Sequence, residues 1–180
     1  RNGTPFIDDF YVYLRDEDAV ISPILKTDAP TFFTTLYPLP GKNLEHVRTE
    51  LLTGYHYLTY LPTSASSTAN PSTQNVIASA ISLPLGETSN IKGTIVMLIN
   101  EQQILDLLKG IQWVDNGAMF ILDEKGQVII STSNTYKLSP SLLAETQNAN
   151  GYETYNADGT TQMLSFTTGA SGWKYISLVP

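Results

Sequence analysis

Ala118-Met119-Phe120-Ile121-Leu122, Asp123-Glu124-Lys125-Gly126 and Val128-Ile129-Ile130-Ser131 are an apolar run, a polar turn and a second apolar run, and their reading decides the fold. β-branched and aromatic residues suit a pleated surface, and Gly126 can take the positive φ that a tight turn often requires. The stretch predicts a β-hairpin. The same design occurs earlier in the chain: Phe10-Tyr11-Val12-Tyr13-Leu14-Arg15, then Asp16-Glu17-Asp18, then Ala19-Val20-Ile21-Ser22.

Setting Val20 on Val128 brings Leu14 onto Leu122 and Val12 onto Phe120. Two further matches follow in the same order, Ile81-Ser-Leu-Pro-Leu-Gly86 with Leu164-Ser-Phe-Thr-Thr-Gly169, and the run from Gly93 to Asn100 with the run from Gly172 onward. The offset shrinks from match to match, as in a duplication whose second copy is trimmed. The order predicts two modules, residues 1–100 and 101–180, each an antiparallel sheet with helices on one face.

Between them lies the best-signalled helix, with Asn100 as N-cap, Gln103 three residues on and Gly110 near its end. Ile104, Leu105, Leu107, Leu108 and Ile111 share one side, so this helix is expected to lay that side on a sheet while joining the modules. A shorter helix is expected from about Asn43 to Leu52, stopped at Gly54, with Tyr55-His-Tyr-Leu-Thr-Tyr60 following as a strand. Residues Thr63 to Thr73 are Ser, Thr, Ala, Asn and Pro in the main and read as a mobile loop.

Composition narrows the function. Hydrophobic residues are 42% of the 180 and charged ones 15%, enough apolar surface for a core. The net charge of −7, with ten Lys and Arg dispersed singly, offers no basic stripe for nucleic acid or anionic lipid. Cysteine is absent, which excludes disulfides and thiolate metal sites. No run approaches the roughly 20 apolar residues of a membrane-spanning helix. The chain opens without an initiator Met and stops at Leu178-Val179-Pro180 after a strand-like run, as expected of a piece of a longer protein.

Chemistry-bearing motifs are lacking. The two histidines, His46 in a polar helix and His56 among tyrosines, have neither a nucleophile-elbow motif nor zinc-ligand spacing beside them. Asp16-Glu17-Asp18 lacks the glycine and distal glutamate of a calcium loop, and the glycines are too dispersed to cradle phosphate. No catalytic residue, metal or cofactor is expected. Tyrosines are instead concentrated in the first half, and a phenol ring offers an apolar face with a polar tip. Alternation puts Tyr11 and Tyr13 on one face of their strand and Tyr55 and Tyr57 on one face of theirs. With Tyr37 and Ser79 nearby, these six residues are the candidate ligand-binding set, suited to a neutral or weakly polar small molecule such as a sugar or small metabolite; the rival reading is that the tyrosines merely cover a half-buried sheet.

Phe120-Ile-Leu-Asp-Glu-Lys-Gly-Gln-Val-Ile129 resembles the central hairpin of Cache sensor modules, and Gly172-Trp-Lys-Tyr-Ile-Ser-Leu-Val-Pro180 resembles the closing strand of a membrane-proximal Cache module. Lys92-Gly-Thr-Ile-Val-Met-Leu-Ile-Asn100 is similar to the end of a membrane-distal one, and Pro5 to Leu14 with Leu51 to Tyr57 resemble the sensor regions of membrane-bound AraC-type regulators of Gram-positive bacteria and of sensor histidine kinases. The resemblance implies an α+β fold of two tandem Cache (PAS-like) modules, membrane-distal over 1–100 and membrane-proximal over 101–180, without the long N-terminal helix usual in such sensors. It implies an extracellular ligand-sensing domain of a membrane-spanning signalling protein rather than an enzyme, with the ligand in the distal module; a homodimer is compatible with it. The rival readings are an extracellular solute-binding or adhesion domain and a hydrolase. The Arg-x-Trp-Tyr motif and strand aspartate by which part of the family grips amino acids are missing, since Thr31-Phe-Phe-Thr-Thr-Leu-Tyr37 and Leu98 stand there, so an amino-acid ligand is disfavoured.

Overall fold

A computed structural model describes residues 6–39, 42–65, 74–110, 117–133, 137–157 and 160–180. The chain divides into two compact units, Arg1–Gln103 and Ile104–Pro180, a division that falls inside the helix after Asn100.

The first unit is a six-stranded antiparallel sheet. Its strands are β1 (Ile7–Leu14), β2 (Ala19–Ile21), β3 (Lys26–Asp28), β4 (Thr59–Ala65), β5 (Gln74–Leu83) and β6 (Gly93–Asn100), in the spatial order β3-β2-β1-β6-β5-β4. The second is five-stranded, with β7 (Ala118–Leu122), β8 (Val128–Ser131), β9 (Asn150–Ala157), β10 (Thr160–Thr168) and β11 (Lys174–Val179) in the order β8-β7-β11-β10-β9. Leaving out β3, the two orders are the same, with hairpin β1-β2 answering to β7-β8, and β6, β5, β4 answering to β11, β10, β9. The repeated order read from the sequence is therefore a repeated topology. All pairings are antiparallel, so each sheet can carry helices on one side.

Helices cover one face of the first sheet. A single α-turn, α1 (Ala29–Thr31), is capped by Asp28, whose carboxylate accepts from Thr31 N, and it runs into a π-helix, Phe32–Leu36. A second α-turn, α2 (Leu44–Val47), is capped by Asn43 and runs into another π-helix, Arg48–Leu52. The 43–52 helix is thus present, but its second half widens, as the i→i+5 bond from Thr53 N to Arg48 O at 2.9 Å shows. Phe32, Phe33, Leu39, Val47, Leu51 and Leu52 from this layer meet Tyr11, Tyr13, Val76, Ala78, Ala80, Val96 and Leu98 from the sheet in one buried cluster. Fully burying each large apolar side chain contributes about 1.5–3 kcal/mol. Gly93 lets β1 and β6 approach, since a Cβ there would lie 2.4 Å from the Tyr13 carbonyl oxygen.

In the second unit a short helix, α4 (Pro140–Glu145), is capped by Ser139 and buries Leu142 among Phe120, Leu122, Leu164, Phe166, Ile176 and Leu178. The joining helix, α3 (Glu101–Gly110), starts as expected, with Asn100 Oδ1 accepting from Gln103 N at 3.3 Å. Its apolar side is not laid down as the spacing suggested: Leu107 is 57% exposed and Ile104, Leu105 and Leu108 are half-buried, while Ile111 lies outside the described residues. Two further expectations change. The strand expected from Tyr55 begins only at Thr59, because Leu58 takes a φ of +52° that no strand accommodates. Of the loop expected over Thr63 to Thr73, Thr63–Ala65 belong to β4, and residues 66–73 lie outside the described residues.

Candidate functional site

A register shift between Ile7 and Asp9 resets the phase of β1, and from Asp9 onward its odd positions face the helical layer. That puts Asp9, Tyr11 and Tyr13 in a row beneath Phe32, Phe33 and Tyr37. Tyr11 sits against Phe32 at a centroid distance of 5.1 Å and edge-on to Phe33 at 5.4 Å; Phe32 and Phe33 are edge-to-face at 5.0 Å, and Tyr37 stacks on Phe32 at 4.8 Å with 17° between the planes. Four rings thus share one wall. These offset and tilted arrangements are the ones ring quadrupoles favour.

The polar atoms of this wall are few. The Tyr11 hydroxyl is buried and has no hydrogen-bond partner among the described residues, although a buried unpaired hydroxyl costs roughly 1–3 kcal/mol. Burial, and secondarily the Asp9 carboxylate, push its pKa upward, so the phenol stays a neutral donor. Tyr37 is half-buried, and burial, then the charge of Asp9 and a hydrogen bond to it, raise its pKa as well.

Further along β1, the Tyr13 hydroxyl donates to Asp18 Oδ1 at 2.9 Å, and Arg48 Nη2 donates to Asp18 Oδ2 at 2.5 Å and, through Nη1, to Glu45 Oε1 at 3.2 Å. Burial, then the bond to Asp18, raise the Tyr13 pKa. Asp18 stands at φ +45° in the β1-β2 turn and its carbonyl accepts from Ala29 N, so one residue ties turn, sheet and both helical segments together. Arg15 donates to the Thr53 carbonyl at the same end.

Of the six residues singled out from the sequence, Tyr11, Tyr13 and Tyr37 come together on this face. Ser79 does not. Tyr11 pairs with Val96 and Ser79 with Met97, consecutive residues of β6, so Ser79 points to the opposite face of the sheet. Its hydroxyl is buried there without a partner among the described residues. Tyr55 and Tyr57 are also elsewhere: they lie within an irregular segment rather than sharing a strand face, and are 41% and 72% exposed. That segment is held by Ser82, whose Oγ accepts from His56 N at 2.8 Å and whose N–H donates to His56 O at 2.9 Å. Asp9, Phe32, Phe33, Asp18 and Arg48 lie outside the set the sequence points to; the Phe-Phe pair that follows the capping Asp28-Ala29-Pro30-Thr31 is the available signal for two of them.

An aromatic wall with a neutral phenol donor and one carboxylate can hold a small molecule by stacking and a few hydrogen bonds. It contains no nucleophile with a base and orienting acid: His46 is exposed on α2, and His56 is buried in the Ser82-held segment. Among the described residues no three His, Asp or Glu side chains gather to hold a metal ion, and no helix is long and apolar enough to cross a membrane.

No family model and no curated protein matches the chain. Solved structures do. The extracellular domain of rpHK1S-Z16, a protein assigned as a histidine kinase, superposes with a TM-score of 0.61 at 15% identity, over 97% of this chain and 71% of that one. The periplasmic sensory domain of the Campylobacter jejuni chemoreceptor Tlp1 gives 0.61 at 14%, over 99% and 74%. The sensory domain of the C. jejuni chemoreceptor Tlp3, solved with isoleucine bound, gives 0.53 at 13%, over 96% and 65%. At such identities the likeness is one of fold: two antiparallel sheets, each with short helices.

Proposed function

We propose that this chain is the extracellular or periplasmic ligand-sensing region of a bacterial transmembrane signalling protein and is not an enzyme. The observation that carries the reading is the buried Tyr11 hydroxyl, unpartnered among the described residues, in the aromatic wall of a fold shared with receptor sensor domains. On this reading the first unit, residues 1–100, is membrane-distal and binds ligand against Tyr11, Phe32, Tyr37 and Asp9, and residues 101–180 are membrane-proximal. The parent protein is anchored in the membrane and carries a histidine-kinase, chemoreceptor or AraC-type regulator output.

The ligand is a small molecule with an apolar body and a polar end, a sugar or small metabolite. An amino acid is the second reading, favoured by the isoleucine held by Tlp3 and by Asp9, whose carboxylate suits an ammonium. Against it, Leu98 is buried beside β1 where that class of sensor places an aspartate. A thermal-shift screen of sugars, small acids and amino acids against the wild type and Tyr37→Ala tests both readings. A compound that raises the melting temperature of the wild type and not of the variant supports the site, because ligand bound to the folded state stabilises it by mass action. Equal stabilisation of both proteins removes this wall from consideration. Transmembrane segments flanking the region in the full-length gene support the sensor role, and a cell-wall anchor in their place supports adhesion.

A further inference from the structure

The second sheet ends on a strand built to accept another strand. β9 is eight residues long and pairs with β10 through eight consecutive rungs, Asn150↔Thr167 to Ala157↔Thr160, without a bulge. On its other side no strand follows among the described residues. Exposed edges are ordinarily blunted by shortness, bulges, proline or lysine. The other three edges follow that rule: β3 has three residues, β4 carries Pro62, and β8 has four residues with a register shift against β7. β9 has no proline and no basic residue, its one charge is Glu153, and Asn150, Tyr152, Glu153, Thr154 and Asn156 are all exposed.

The direction of its free backbone groups follows from the ladder. Thr168 N donates to Ala149 O at 2.7 Å, which makes 149 and the odd residues after it the hydrogen-bonded partners of β10. Antiparallel rungs alternate, so the N–H and C=O groups of Asn150, Tyr152, Thr154 and Asn156 point outward.

The geometry points to a second copy of this chain as the occupant, joined β9 to β9 across a two-fold axis into a continuous ten-stranded sheet. A two-fold axis between antiparallel strands passes through a residue facing its own symmetry mate, which limits the registers. Centring on Glu153 sets two carboxylates directly opposite each other, which is destabilising. Those carboxylates already have Glu145 beside them, whose hydrogen bond raises the Glu153 pKa. Centring on Tyr152 uses only the first five residues of the strand. Centring on Thr154 uses seven, makes Thr154 with its mate a doubly hydrogen-bonded pair, places Tyr152 opposite Asn156 on each side, and moves the two Glu153 side chains to diagonal positions. About six backbone hydrogen bonds form. Thr154 faces Met163 across the β9-β10 ladder, so this register also gathers the exposed Tyr152 and Met163 side chains of both copies on one surface around the axis.

The chain contains no cysteine, so single-cysteine variants report the register directly. Under mild oxidation Thr154→Cys is expected to form a disulfide-linked dimer at least tenfold faster than Tyr152→Cys or Asn156→Cys alone, and a mixture of the last two to form a mixed dimer. Sedimentation of the unmodified 180-residue chain is expected to show reversible dimerisation, weakened at least tenfold by Thr154→Pro and tightened severalfold by Glu153→Gln. The proline sits where the N–H points to solvent and leaves the β10 ladder intact; Thr154→Lys provides the same block should the proline variant fail to fold. A chain that stays monomeric with all three cysteines equally reactive overturns the proposal, as does dimerisation unaffected by both Thr154 variants.

Discussion

Replacing Tyr11 by Phe removes one oxygen from the centre of the candidate site and nothing else. The ring keeps its neighbours, Phe32 at 5.1 Å and Phe33 at 5.4 Å, and its burial at 2% exposure. The hydroxyl has no partner among the described residues, and burying such a group costs roughly 1–3 kcal/mol. Tyr11→Phe is therefore expected to stabilise the ligand-free protein by about 1 kcal/mol, a rise in melting temperature of about 4 °C for a unit of this size. If the hydroxyl donates to ligand, the same variant binds it about 2- to 10-fold more weakly, the worth of a neutral hydrogen bond of roughly 0.5–1.5 kcal/mol. The two effects have opposite signs, which a merely structural tyrosine would not produce. The pH dependence adds a third measurement. Burial raises the folded-state pKa of Tyr11 above its ordinary 10.0, so the neutral phenol's contribution is fully present below pH 10 and is lost as pH rises from there through the folded pKa. Phe does not titrate, so the stability of the variant falls less steeply above pH 10; Tyr13, whose pKa is also raised, keeps part of the slope. Urea titrations at pH 7 and pH 10.5 read the stability and its pH dependence, and a binding titration reads the affinity. Destabilisation by more than about 1 kcal/mol at pH 7 in the absence of ligand would refute the reasoning, because it would mean that the hydroxyl is already satisfied.

Three substitutions probe the scaffold around it. Phe32→Ala empties the centre of the ring cluster and should cost about 3–5 kcal/mol in chemical denaturation, with Tyr37 fluorescence changing as its stacking partner disappears. Gly93→Ala should cost about 3 kcal/mol or more, since its Cβ meets the Tyr13 carbonyl at 2.4 Å, whereas Gly86→Ala, at φ +79° in open space, should cost only about 1–2 kcal/mol; comparable losses would mean that the β1-β6 approach is not tight. Arg48→Ala breaks the bridge to Asp18, but the two side chains are 28% and 44% exposed, so a loss of only about 0.5–1 kcal/mol is expected, shrinking in 1 M salt.

The sheets were legible because their signals are local. A run with β-rich composition, an acidic or glycine turn and a second run make a hairpin wherever they occur, and both hairpins form where read. The start of α3 was legible for the same reason, since a capping Asn needs only its own next three residues. What was not legible depends on distant contacts. Tyr55 to Leu58 alternates like a strand, yet Ser82 bonds both main-chain groups of His56 and Leu58 turns to φ +52°. The π-helices at Phe32–Leu36 and Arg48–Leu52 widen to seat their phenylalanines and leucines in the core, and composition carries no sign of that. The start of α4 carries a local signal in Ser139-Pro140, but its six residues are too few to show a helical period.

The site divides along the same line. That Tyr11 and Tyr13 share a face follows from alternation alone, and the structure agrees. Whether Ser79 shares it depends on how β1, β6 and β5 are paired, and a shift of one residue in either pairing reverses the answer. Composition can show that tyrosines are numerous, but it assigns none of them to a face. Tyr37 joins the site through its stacking on Phe32, just after the π-helix, while Tyr55 and Tyr57 stand in a segment that the Ser82 bonds to His56 and the left-handed Leu58 keep from continuing as a strand. A tyrosine count in one half of a chain is therefore a weak pointer to a ligand wall. The specific part of the site is the row Asp9, Tyr11, Tyr13, where a carboxylate, an unpartnered phenol and a phenol bonded to Asp18 lie at alternate positions of one strand beneath the same helical layer.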